Sequence, residues 1–131
     1  MTNTYVDTNV ILRFLLKDNP AQLEQAKKWF KQAENGTIKL IVSPVVVAES
    51  CFVLESFYKV KRNEIADKFQ VLLATRWLKV ETRSALLGMW DYYKIGLHFV
   101  DSFLTTLAKE AGGKVLSFDK RLISKASKQI I

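Results

Sequence analysis

Cysteine is nearly absent from this chain. Cys51 is the only one, so no internal disulfide can form. It lies in the apolar run Ser50-Cys51-Phe52-Val53-Leu54, which reads as a buried structural thiol. A chain without disulfides suits a reducing, cytoplasmic compartment. Histidine is as scarce: His98 is the only imidazole, so a zinc site lacks its usual ligands. No apolar run approaches the ~20 residues that cross a bilayer, so no membrane span is expected. No basic segment precedes an apolar one at the N-terminus, so no signal peptide is expected either. Internal repeats, low-complexity segments, linkers and a Gly-rich Walker-type phosphate loop are all missing.

What remains is 131 residues, 49% of them hydrophobic, which predicts one ordered domain over 1–131 with a core of its own. The formal charge is +7, the balance of a protein that meets a polyanion such as nucleic acid. Lysines that merely keep the surface soluble would give the same sum. The densest basic groups are Lys59-Val60-Lys61-Arg62 and the set Lys120, Arg121, Lys125 and Lys128.

Short apolar strands alternate with longer helical patterns. Thr4-Tyr5-Val6 predicts a first strand, and a helix follows through Ile11 to Leu16. Asn19-Pro20-Ala21-Gln22 predicts a helix start with Asn as N-cap and Pro at the first position, and Asn35-Gly36 its end. Leu40-Ile41-Val42 predicts a buried strand, and Ser43-Pro44 opens a helix reaching to about Lys59. A third long helix runs from Asn63-Glu64 to near Thr75. Leu78 to Glu81 reads as a strand, with Thr82 capping a helix that ends by Gly96. Asp101 begins another helix, stopped by Gly112-Gly113. Lys114-Val115-Leu116-Ser117-Phe118 reads as the last strand, and Asp119 begins a short terminal helix. No Asn-Gly or Asp-Gly turn joins two strands, so the pattern predicts a three-layer α/β/α fold with a short, mainly parallel sheet.

Of the 13 acidic residues, Asp7, Glu49, Asp101 and Asp119 stand out by position. Asp7 ends the first strand and Asp119 follows the last. Glu49 lies in the greasy stretch Val45 to Val53, where helical spacing sets it beside Val45, Val46, Phe52 and Val53 and so on a packed face. The Asp101 helix runs back toward the final strand, so its N-terminus falls at the carboxyl edge of the sheet. That edge is where open α/β sheets bind ligands. Crowded carboxylates repel unless a cation joins them, and hard oxygen ligands suit Mg²⁺ or Mn²⁺. A basic surface around such a cleft fits phosphodiester hydrolysis. Each acid has a plainer role open to it: N-cap for Asp101 and Asp119, turn residue for Asp7, buried ion pair for Glu49. Thr8 and Asn9 can orient a carboxylate or a water, or cap the first helix. Ser117 offers a hydroxyl just before Asp119. The aromatic residues Trp29, Trp77, Trp90, Tyr92 and Tyr93 fit the core or an interface better than base stacking.

The ordered set Asp7-Thr8-Asn9-Val10, Glu49, Phe99-Val100-Asp101 with Ala108, and Val115-Leu116-Ser117-Phe118-Asp119 resembles a PIN domain of the VapC-type toxin ribonucleases. The resemblance spans essentially the whole chain. It implies Mg²⁺- or Mn²⁺-dependent cleavage of RNA as the toxin of a type II toxin–antitoxin pair. By that resemblance Asp7, Glu49, Asp101 and Asp119 form the metal-binding catalytic cluster, with Asn9 as the polar residue after the first strand. Ser117 stands where the family often has Thr. A homodimer and a cognate antitoxin are implied as partners. Two alternatives keep the fold: a housekeeping RNA-processing nuclease and a non-catalytic nucleic-acid-binding module. A haloacid dehalogenase-type phosphatase would need a second carboxylate two residues after Asp7, where Asn9 stands.

Overall fold

The computed structural model describes residues 2–120 and 122. The order of elements is β1 (Asn3–Tyr5), α1 (Thr8–Leu16), α2 (Pro20–Glu34), β2 (Lys39–Val42), α3 (Pro44–Ser56), α4 (Arg62–Leu73), β3 (Lys79–Val80), α5 (Arg83–Gly88), α6 (Trp90–Lys94) and α7 (Phe99–Ala111). Among the described residues the sheet has three strands in the order β1-β2-β3. Both pairings are parallel, with Thr4 opposite Leu40 and Val42 opposite Val80. Successive strand residues point to opposite faces. Leu40, Ile41 and Val42 are all buried, so β2 is covered on both sides.

Local signals in the chain set the helix boundaries. Asn19 accepts from the Gln22 amide at 3.1 Å with Pro20 at the first position, as the sequence predicts. Ser43 accepts from the Val45 amide at 3.3 Å ahead of Pro44. The left-handed Lys17 (φ 55°) closes α1, its amide donating to the Arg13 carbonyl at 3.1 Å. Arg83 serves the far end of α4. Its guanidinium donates to the carbonyls of Leu73 (2.8 Å), Thr75 (3.0 Å) and Leu78, at the helix end and in the turn that follows it.

The core gathers around Trp90, whose ring stacks on Phe69 with centroids 5.6 Å apart and meets Tyr93 and Phe99 edge-on. A smaller cluster joins Leu97, Ala108, Val115 and Leu122. Trp90 and Tyr93 are fully buried, in line with their reading as core aromatics, and Cys51 is buried as expected.

Three expectations are corrected. The helix expected from Thr82 to Gly96 is two short ones that part at Met89. There the Trp90 indole N–H takes the Leu86 carbonyl at 2.6 Å. Thr82 itself is left-handed (φ 51°), and its hydroxyl donates to its neighbour Glu81's carbonyl instead of capping α5. The strand expected over 114–118 reduces to a single bridge at Val115. Val115 packs into the smaller cluster, but Leu116 and Phe118 stand exposed, and the Ser117 hydroxyl accepts the Asp119 amide at 2.9 Å. That local bond turns the chain and competes with extended pairing. The basic residues Arg121, Lys125 and Lys128 lie outside the described residues.

Candidate active site

Asp7 leaves β1 one residue after Val6, whose amide still bonds to Ile41 of β2 at 2.9 Å. It is the N-cap of α1, with Oδ1 accepting the Thr8 amide at 2.8 Å. Oδ2 has no hydrogen-bond partner among the described residues. Thr8 does not cap. It is buried, and its hydroxyl donates across to Glu49 Oε2 at 3.2 Å, tying the first turn of α1 to the second turn of α3. Glu49 Oε1 is likewise uncommitted among the described residues.

These groups line one open cavity of about 370 Å³, together with Asn9, Arg13, Phe57 and Tyr58. The carboxyl-edge reading therefore holds for Asp7 and Glu49, which the parallel βα connections bring to one place. The expectation that Glu49 is packed away is corrected: it is exposed, and its helical neighbours Val45 and Phe52 are 73% and 68% exposed. Helix α3 is apolar nearly all round, so sequence spacing does not identify its buried face.

Asp101 lies in the first turn of α7, three residues past its N-cap, His98. Its side chain has no hydrogen bond or ion pair with a described residue, so capping does not account for it. The α7 start meets α3 at a second cavity, of about 200 Å³, lined by Ala48 and Phe52 on one side and His98 and Val100 on the other. Glu49 and Asp101 each follow directly on one of those lining residues. Asp119 Oδ1 accepts the Leu122 amide at 3.2 Å, the capping role that was open to it. Neither Asp101 nor Asp119 lines the cavity of Asp7 and Glu49. Among the described residues no three His, Cys, Asp or Glu side chains stand close enough to share an ion. Asp7, Glu49 and Asp101 form no salt bridge with a described residue, so none is neutralised by a lysine or arginine there.

The arginine nearest to hand is already engaged. Arg13 Nη1 donates to both oxygens of Asp18 at 2.9 Å, and Nη2 donates to the Tyr58 hydroxyl at 2.9 Å. The Tyr58 bond, together with the Asp18 charge, raises the Arg13 pKa. Sequence reasoning passed over Arg13 and Tyr58. Arg13 sits four residues after Asn9, on the same face of α1, and that spacing was the available signal.

A second polar network lies behind α3. Arg62 Nε pairs with Glu55 at 3.1 Å, and Nη1 donates to the carbonyls of Tyr93 (2.8 Å) and Leu97 (2.6 Å). The Tyr93 hydroxyl donates to Glu55 at 3.0 Å. Burial raises the Cys51 and Tyr93 pKa values strongly, with Glu55 adding to both shifts. Arg62 is thus a structural residue, although the sequence places it in a basic run.

A parallel βα scaffold that brings two carboxylates to the carboxyl edge of its sheet is the α/β architecture whose ligand site lies at that edge. The PIN domain family model matches residues 4–128, and the chain belongs to that family. It is 29% identical over 118 residues, 88% of this chain and 87% of the other, to a VapC ribonuclease of Aquifex aeolicus (strain VF5). No solved structure gives a significant match.

Proposed function

We propose that the chain is a single PIN nuclease domain over residues 1–131 that hydrolyses RNA phosphodiester bonds with Mg²⁺ or Mn²⁺, as the toxin of a type II toxin–antitoxin pair. The observation that carries this reading is the Asp7–Thr8–Glu49 link. Two carboxylates far apart in sequence meet in one cavity, each with a free oxygen and no cationic partner among the described residues. The donor set fits the ion. Mg²⁺ is commonly held by one or two carboxylates and fills its remaining positions with water and substrate phosphate. Asp7 and Glu49 would hold it; Asp101, as a further ligand, and Asp119, on a water or a second ion, lie outside this cavity and enter the proposal through the family resemblance alone. The chemistry the ion supplies when bound is activation of water and stabilisation of phosphoryl charge.

The chain's own residues do the rest. Thr8 fixes the Glu49 carboxylate through its buried hydroxyl, and the Thr8 amide fixes Asp7. Asn9 brings an amide to the same cavity with no side-chain bond to a described residue. Ser117 holds the turn that presents Asp119. The partners of this reading are RNA, a cognate antitoxin and a second copy of the chain, in the cytoplasm. Val45 and Phe52 on α3, and Val100 and Leu104 on α7, are exposed apolar surface that protein partners would cover. Among the described residues no helix is long and apolar enough to cross a membrane.

The test is incubation of the purified protein with cellular RNA, with Mn²⁺ or with chelator, followed by mapping of the ends. Wild type yields defined fragments only with metal. Asp7→Asn and Asp101→Asn yield none while keeping a native circular dichroism spectrum. Cleavage by either variant at the wild-type rate refutes the assignment. RNA retained without metal-dependent fragments points to a binding module instead.

A further inference from the structure

We infer that Arg13 binds a backbone phosphate of the RNA within the cavity of Asp7 and Glu49, and that Asp18 and Tyr58 position it there. The inference rests on the ribonuclease reading and names a substrate contact for it. Arg13 lines that cavity. A guanidinium beside two carboxylates would ordinarily pair with them, and a paired Arg13 would block the site it faces. Asp18 prevents this by taking Nη1 through both of its oxygens. Tyr58 takes one donor of Nη2, and its ring lies 6.0 Å below the guanidinium carbon. Of the five N–H donors of an arginine, the Nε–H and the second on Nη2 have no partner among the described residues.

The side chain is therefore both fixed and unsaturated. Its exposure is only 18%, so its ordering cost is met before substrate arrives. A planar donor fork held this way suits the oxygens of a phosphodiester. Exposed lysines flank both partners, Lys17 before Asp18 and Lys59 after Tyr58, so the strand continues over positive surface on either side. Both lysines occupy left-handed turns (φ 55° and 57°), which bend the chain at the ends of α1 and α3.

The experiment measures binding apart from cleavage. A labelled single-stranded RNA is titrated with the Asp7→Asn protein, and with the same protein carrying Arg13→Gln, Arg13→Lys or Tyr58→Phe, over a range of salt. Loss of one phosphate contact lowers the slope of log affinity against log salt by about 0.7 for a single strand. Arg13→Gln should show that drop and about tenfold weaker binding. Arg13→Lys should restore the slope, and Tyr58→Phe, which keeps the charge but loosens the guanidinium, should retain the slope with weaker binding. An unchanged slope and affinity in Arg13→Gln overturns the inference. So does a fall in slope in Tyr58→Phe equal to that in Arg13→Gln, because Tyr58→Phe leaves the cation in place. Cleavage by the wild type is scored separately. If it cuts no RNA but the slope still falls, the nuclease reading fails and the Arg13 contact stands.

Discussion

The hydroxyl of Thr8 spends its hydrogen on Glu49, not on the helix it begins. Asp7 caps that helix instead, and the exchange gives each residue a second use. A carboxylate oriented by a buried donor loses little freedom on taking up an ion. Thr8→Val keeps the shape and removes the donor. It should lower Mn²⁺ affinity and RNA cleavage by roughly 10- to 100-fold, the usual effect of losing such an outer partner. Melting temperature should fall little, because Glu49 is exposed and can turn to water. Calorimetric titration and a cleavage assay on the same preparation check both halves. The place of Asp7 at the strand end was legible because it directly follows Thr4-Tyr5-Val6, although β1 is exposed and the carboxylate also caps α1. Arg13 was not, because its role depends on Asp18 and Tyr58, and the latter is distant in sequence.

At the scale of elements, the caps at Asn19-Pro20 and Ser43-Pro44 could be read directly, since a cap depends on neighbours a few residues away. The face of α3 could not. Its hydrophobic residues surround the axis, so which of them meet the sheet is decided by packing. The same reason hid the role of Arg62, which joins α4 to α6 through the Tyr93 carbonyl, to the turn after α6 through the Leu97 carbonyl, and to α3 through Glu55. Arg62→Met removes the charged donor from those carbonyls and from Glu55, which keeps the Tyr93 hydroxyl. It should cost about 1–3 kcal/mol, read from urea unfolding, with the metal-dependent RNA cut sites unchanged. A loss below about 0.5 kcal/mol would mean that the network contributes little.

The whole molecule carries a formal charge of +7, yet three arginines are committed internally: Arg13 to Asp18 and Tyr58, Arg62 to Glu55, and Arg83 to the end of α4. Its exposed positive surface is therefore chiefly lysine, a mobile charge suited to a nucleic-acid backbone. Against that surface the cavity brings the carboxylates of Asp7 and Glu49 together beside Arg13. The parallel sheet was legible as a class, because short apolar strands separated by helices leave few other arrangements. Strand order was not, since it depends on which strand edges meet in space. Manganese titration of the cavity tests the central claim most directly. Wild type should bind Mn²⁺, Asp7→Asn and Glu49→Gln should each weaken binding at least about tenfold, and Asp91→Asn, an exposed acid elsewhere, should not. Equal binding by wild type and both cavity variants, or no binding by wild type at all, would contradict the account.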